Sequence, residues 1–420
     1  MKSDYLKKYL FIFFSINIIL IPIFLVTGPF LPDLSLSVCS LLYLIYILST
    51  KQLNVFRNYL FIYFFIFYIV ILLSSLLSEN ILFSLHSSLP YIRFGLFTIC
   101  VWHTAKEDTN LFNKVFIVLT IIYLLLIFDG YLQFFTGTNI FNYDKVGVRV
   151  SSFFGDELIL GSYVARFFPI YLGLYFYKIQ NKQISVFEKI FFIIFFVLIS
   201  ILVIISGERT AFALFIISIF LMFFFLQGLK KIKFFFLIIF MVSSIIFTFI
   251  YQNNFQRLVI ETKNQIIVND KILFFGERRH EYAKVSINIL KENIILGSGP
   301  RTYRIKSKDD KYKISDLSWN THPHNIYFQL LAETGLVGTM LVFLIFIYFL
   351  LLLFKSYFIN IKNKKEFNLS SNVNICIVIA IIINIFPLIP SGNFFNNWIS
   401  IVYFYPISLF YALNKSLKYL

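Results

Sequence analysis

The stretch YLFIFFSINIILIPIFLVT, Tyr9–Thr27, carries no charged side chain. Wound as a helix, it is long enough to cross roughly 30 Å of hydrocarbon. Lys2, Lys7 and Lys8 precede it, as basic residues precede a secretory leader. No small-residue cleavage site follows, and the run exceeds a typical leader core. The stretch is therefore expected to be retained as a membrane helix.

With this first run centred on Ile16, similar runs centre on Leu42, Phe67, Phe94, Leu119, Phe168, Val197, Phe215, Phe240, Ile345, Ile382 and Val402. They predict an all-α polytopic membrane protein of about twelve transmembrane helices. The fourth run is the least regular, because it holds Pro90, Arg93 and Gly95. Composition agrees: 59% hydrophobic residues, 14% charged residues and a mean hydropathy of +0.81 exclude an ordinary soluble domain. Cys39, Cys100 and Cys376 all fall inside predicted spans and are expected to be packing residues.

The net charge of +16 raises the question of nucleic acid, but the placement of the charge argues against it. Lys51, Arg57, Lys106, Lys114, Lys178, Lys182, Lys189, Lys230, Lys231, Lys233, Lys355, Lys362, Lys364, Lys365, Lys415 and Lys418 join the N-terminal lysines on one predicted side. The opposite short loops, near residues 29–33, 78–88 and 391–397, have no Lys or Arg. This is the positive-inside pattern. It predicts both termini in the cytoplasm and makes most of the basic excess an orientation signal, with no nucleic-acid partner.

Polar sequence is concentrated in two outer segments, 129–157 and 251–323. The expected organisation is transmembrane helices 1–9 in residues 1–250, a large extracytoplasmic loop in 251–323, and helices 10–12 in 324–420. The large loop is predicted to be partly helical. Arg278, Tyr282, Val285 and Ile289 recur on one helical face, and the GSGP turn of Gly297–Pro300 ends that helix. The loop is also strongly basic. An anionic substrate and contact with anionic lipid headgroups both account for that, and for Lys306–Lys313 the headgroup account is the simpler.

Four places in these segments can carry chemistry. Arg209 lies in the short turn of IISGERTAFALF, Ile204–Phe215. An arginine at the membrane boundary is costly unless paired or wetted, and its planar fork suits phosphate oxygens. A snorkelling arginine, or one paired with Glu208, is the structural alternative. Arg166 lies in a span and is expected to find a structural partner such as Asp156 or Glu157, whereas Arg149 lies in a loop and is freer to meet a ligand. Arg93 has no assigned role. His324 precedes an apolar helix with Asn325 as a candidate cap. Its ordinary pKa suits a general base, and helix N–H groups nearby favour anions and a neutral imidazole; a capping histidine with no chemistry is the alternative. His322 and His324 are two apart, but no cysteine or close carboxylate completes a metal set. Neither G-x-S-x-G nor H-E-x-x-H occurs.

SGERTAFAL (Ser206–Leu214), Arg278 in RRHEY, NIILGSGPRTY (Asn293–Tyr303) and HPHNIYFQLLAETGLVG (His322–Gly338) together resemble the O-antigen ligase and O-antigen polymerase superfamily of bacterial envelope glycosyltransferases. Glu208 stands where relatives often have a small residue, which leaves the pairing of Arg209 open. The resemblance implies a GT-C-like membrane fold in the bacterial inner membrane. It implies transfer of a glycan from undecaprenyl diphosphate, at the outer leaflet, to an acceptor hydroxyl, inverting and without metal or cofactor. His324 is then the catalytic base. Arg209 and Arg278 receive the diphosphate, helped by Arg149 or Arg301, and Asn325 and His322 support substrate binding. The acceptor is another lipid-linked glycan for a polymerase or lipid A core for a ligase, and two substantial outer segments tilt the reading to polymerase. A polytopic transporter and a non-catalytic scaffold are the competing classes. Transporters usually show related halves and ionisable residues near the midplane, and no related halves are evident here.

Overall fold

Hydrocarbon offers no water to amide groups, so apolar runs of this length must close their own hydrogen bonds as helices. The computed structural model describes residues 2–180, 185–228, 230–268, 271–273, 276–316, 318–362 and 369–414. Lys182, Lys364, Lys365, Lys415 and Lys418 lie outside the described residues.

The helices are α1 (Lys2–Phe24), α2 (Phe30–Thr50), α3 (Tyr59–Leu76), α4 (Ile81–Ser88), α5 (Ile92–Glu107), α6 (Leu111–Thr136), α7 (Leu160–Ile179), α8 (Val186–Ile205) and α9 (Arg209–Phe225). They continue as α10 (Lys230–Ile250), α11 (Gln252–Phe255), α12 (Glu261–Ile266), α13 (Glu277–Leu290), α14 (Tyr303–Lys306), α15 (Ile326–Lys362), α16 (Leu369–Asn384) and α17 (Asn397–Leu413). Each expected span centre falls in one of them. Among the described residues, six helical segments are long and apolar enough to cross a membrane: Tyr5–Phe24, Phe30–Thr50, Tyr59–Leu76, Leu111–Thr136, Val186–Ile205 and Ile326–Phe358. The chain is thus a helical, polytopic membrane protein. A short two-stranded antiparallel ribbon of β1 (Ile267–Val268) and β2 (Lys271–Ile272) accompanies the helices and leaves the all-α class unchanged.

The chain divides into two compact units. One comprises Met1–Pro32, Thr104–Thr262 and Phe349–Asn384, and the other comprises Asp33–His103, Lys263–Tyr348 and Ile385–Leu420.

In the first unit α7 is buried nearly along its length, with Tyr163, Phe167, Phe168 and Tyr171 almost without exposure. Gly173 lets α16 approach closely: a Cβ there would stand 3.0 Å from Cys376 Cβ and 3.3 Å from the Val373 carbonyl. Lipid tails are as apolar as leucine, so such close backbone packing, rather than escape from water, holds membrane helices together. Arg166 donates to Asn384 at 2.5 Å, a structural amide partner. The outer segment begins later than its composition indicated, because α6 runs on to Thr136 and buries Asp129. Asp129 accepts from Ile140 N at 2.9 Å and Ser152 Oγ at 2.6 Å. Gln133 accepts from the backbone of Ser151 and Ser152. Two polar side chains one helical turn apart thereby organise the loop that carries Arg149.

In the second unit the irregular fourth run resolves into α4, a 3₁₀ turn at Leu89–Tyr91 holding Pro90, and α5. Arg93 has a structural role: it pairs with Asp33 at 2.7 Å and donates to Ser37 at 3.1 Å. α15 is broken at Gly335, which adopts φ +64°, ψ −165°. The break seats the GSGP turn, for a Cβ on Gly297 would lie 2.5 Å from Gly335 N. Ser298 N and Gly299 N then donate to the carbonyls of Ala332 and Glu333, each at 2.9 Å. Gly297 and Gly335 are therefore contact points between two backbones.

Candidate active site

In the second unit, Asn325 caps α15 as its residue type predicts. Its Oδ1 accepts from Tyr327 N at 2.9 Å and Phe328 N at 3.2 Å, and its Nδ2 donates to the Pro387 carbonyl at 2.7 Å. His324 precedes the cap with φ +56°, a left-handed conformation costing about 1–2 kcal/mol outside glycine. Its carbonyl accepts from Ser391 N at 2.9 Å, which holds the strained backbone in place.

The two imidazoles lie with ring centroids 4.2 Å apart, and Tyr282 of α13 is 6.1 Å from His324. Asn320 reaches His324 Nε2 at 3.2 Å. Asn320 Oδ1 already accepts from Thr321 N at 2.6 Å, so the Asn320 amide presents its N–H to the ring, leaving Nε2 as the unprotonated nitrogen. Burial, then the Arg279 charge, pushes His324 down to about 4. Burial, then His324 and Arg304, pushes His322 down to about 3, against a small opposing effect of the Ser391 backbone. The helix end expected to keep the imidazole neutral is not among the causes that lower its pKa. The N–H groups of Tyr327 and Phe328 are occupied by Asn325, and burial with arginine charge does the work.

Arg301 is half-buried with φ +64°; it donates to Ser87 Oγ at 3.3 Å and lies 5.8 Å from the centre of the Phe83 ring. Arg278, at the start of α13, is exposed, although Tyr282, Val285 and Ile289 of its predicted face are buried. The neighbouring guanidinium that acts on His324 belongs to Arg279. Three lysines of the large loop, Lys306, Lys311 and Lys313, are neutralised locally. Lys306 pairs with Glu292 at 2.7 Å and Glu79 at 3.4 Å, Lys311 also pairs with Glu292, and Lys313 pairs with Asp310 at 2.7 Å.

In the first unit, Gly207 turns the chain between α8 and α9 with φ +63°. Glu208 is buried and does not pair with Arg209. Its Oε1 accepts from Gly161 N at 2.6 Å and its Oε2 from Ser162 Oγ at 2.8 Å, capping α7. Arg149 donates to the Leu158 carbonyl at 2.9 Å. Its pKa is lowered by burial, with Glu208 opposing and Arg257 and Arg209 adding repulsion. Arg257 donates to the Gly207 carbonyl at 2.9 Å and stands 3.7 Å from Glu261. Arg149 Nε and Arg209 Nη1 are buried without a hydrogen-bond partner among the described residues. Three arginines that repel one another, with unused donors, have chemistry suited to an anion.

Arg149 and Arg209 therefore lie together in one unit, and Arg278, Arg301, His322, His324 and Asn325 lie in the other. Arg257, Arg279, Arg304 and Asn320 escaped the sequence reading. Asn320 sits four residues before His324 in the same polar run, and that spacing was the one signal available.

No curated protein matches the chain. Residues 194–343 match the family described as O-Antigen ligase, a span that contains Arg209, Arg257, Arg278 and the histidine motif but not Arg149. That match makes residues 194–343 similar to the O-antigen ligase family.

Proposed function

We propose that the chain is a surface-polysaccharide polymerase, passing an oligosaccharide from undecaprenyl diphosphate to a hydroxyl of a second lipid-linked repeat unit. The carrying observation is His324, a neutral imidazole whose Nε2 lone pair is directed by Asn320. The acceptor hydroxyl takes the place of the Asn320 N–H and gives its proton to Nε2 as its oxygen bonds to the anomeric carbon. The bond from that carbon to the diphosphate oxygen breaks on the opposite face, and the electron pair leaves with the diphosphate, inverting the centre. The leaving diphosphate needs positive charge; in the unit that holds His324, Arg278 is assigned to it, and Arg149, Arg209 and Arg257 are assigned an anion-holding role within their own unit. The step is balanced without a metal or cofactor. By the lysine pattern it takes place on the extracytoplasmic side of the bacterial inner membrane, with both termini cytoplasmic.

An imidazole held near 4 is a weak base. An anionic substrate brought beside it raises its pKa, so basicity is coupled to occupancy. The family description, O-Antigen ligase, favours a second reading, transfer onto lipid A core. Purified protein is to be supplied with undecaprenyl-diphosphate-linked repeats, with and without lipid A core. Lengthened lipid-linked chains in the absence of lipid A support the polymerase, and product only in its presence establishes the ligase. Movement of lipid-linked glycan across vesicles with no new glycosidic bond would sink both. His324→Ala is expected to lower kcat/KM by about 100-fold or more.

A further inference from the structure

The histidine-bearing unit holds a second group of unneutralised cations. Arg301 and Arg304 are three residues apart on the turn that opens α14. Among the described residues neither forms an ion pair, and Arg304 Nε and His322 Nε2 are buried without a hydrogen-bond partner. The nearby carboxylate of Glu333 acts on both guanidiniums through space, but the donors to its oxygens are other groups. Glu333, fully buried, accepts from Tyr303 N at 3.1 Å and from Gln329 Nε2 at 2.9 Å. Gln329 cannot turn away, because its Oε1 accepts from Phe394 N at 2.8 Å.

The mount is rigid. Gly299 N is tied to the Glu333 carbonyl at 2.9 Å, Thr302 Oγ1 donates to the Gly299 carbonyl at 2.6 Å, and Ser74 Oγ donates to the Glu333 carbonyl at 2.7 Å. It imposes a left-handed backbone on Arg301, the kind of strain that persists where a side chain must be aimed. Burial, then the Arg304 charge, lowers the pKa of Arg301, and Arg304 also acts on His322. Two forked guanidiniums and an imidazole with unused donors fit a multi-oxygen anion better than a single carboxylate.

We propose that Arg301, Arg304 and His322 form an anion seat for a phosphate or diphosphate ester of the acceptor, distinct in role from the arginines assigned to the donor. The acceptor assignment rests on the transferase reading above; the seat itself does not.

Binding is tested first, independently of activity. Inorganic diphosphate is titrated into the full chain in neutral detergent, in an R149Q/R209Q/R257Q/R278Q background that removes the arginines assigned above to hold anions. Saturable binding that R304Q weakens by about tenfold or more is expected. No binding, or binding that R304Q leaves unaltered, overturns the seat. R301Q serves as the second variant if R304Q unfolds, with the same expectation. Kinetics then test the acceptor role, comparing a lipid-linked repeat unit, lipid A core and the same glycan on a phosphate-free aglycone. The preference for the phosphorylated acceptor is expected to fall roughly tenfold in R304Q, and the acceptor showing that fall identifies the source of the phosphate. If phosphorylated and phosphate-free acceptors lose activity equally, the acceptor role is wrong. If wild-type protein binds diphosphate through Arg304 yet transfers nothing, the transferase reading fails while the seat stands.

Discussion

Glu208 accepts the backbone N–H of Gly161 at 2.6 Å, so the carboxylate beside Arg209 in sequence is used to cap α7. Had it paired with Arg209, the turn would be electrically quiet. Instead Arg149, Arg209 and Arg257 share a cation-rich patch around a tight glycine turn. A Cβ on Gly207 would come within 3.0 Å of Arg149 Cγ and 3.5 Å of Arg257 Nε, which shows how closely the two side chains flank that turn.

This capping role is measurable. Glu208→Ala strips the acceptor from Gly161 N and Ser162 Oγ in a buried site, each worth about 1–3 kcal/mol when left unsatisfied. Thermal unfolding in detergent is expected to show a marked loss for the alanine variant and a smaller one for Glu208→Gln, which keeps one acceptor oxygen. Equal Tm values for wild type and both variants would remove the cap from the account.

The depressed pKa of His324 sets a pH–rate expectation. In the free enzyme kcat/KM is expected to hold level from neutral pH downwards and to fall only as pH drops through about 4, where protonation occupies Nε2. Arg279→Gln removes the positive charge that helps to lower the pKa, so the falling limb should move to higher pH. A wild-type limb near the ordinary histidine value would contradict the buried, arginine-flanked environment.

The same histidines link stability to pH. Both have folded pKa values, about 3 for His322 and about 4 for His324, below the ordinary 6.5. The unfolded chain binds more protons in that window, so their contribution is complete above 6.5 and declines as pH falls towards the folded values. Tm measured from pH 7.5 to pH 4 should therefore decline, and a His322→Gln/His324→Gln double variant should flatten the slope. An unchanged slope would mean that other groups govern the acid side.

Gly335 is expected to tolerate no side chain. It has φ +64°, and a Cβ would lie 2.4 Å from the Ile295 carbonyl oxygen, a backbone atom that cannot swing aside. Gly335→Ala should cost about 2 kcal/mol or more, read as a lower Tm. Gly392→Ala, whose Cβ would meet only the Ile399 side chain at 3.3 Å, is the milder control. Similar losses for both would show that the broken helix is not what constrains Gly335.

Helices were legible because a long apolar run in hydrocarbon has one way to satisfy its backbone. The cap was legible because Asn325 immediately precedes such a run. Helix phase was partly legible: Tyr282, Val285 and Ile289 are buried as their spacing requires. Their face does not extend to Arg278, which sits in the first turn beyond the packing neighbours. The guanidinium charge that reaches His324 belongs to the next residue, Arg279, about 100° further round the helix.

By itself the sequence determined the membrane class, the positions of the apolar helices, the capped entrance at Asn325 and the value of arginines placed where charge is costly. Those features depend on local composition and on backbone hydrogen bonding. The tertiary structure alone decided which polar groups meet. Glu208 reaches Gly161 across 47 residues, and Arg257 reaches Gly207 across 50. It also drew each compact unit from three separate stretches of chain. Partners so distant are selected by helix packing and by the need to satisfy every buried donor, and no local pattern encodes that choice.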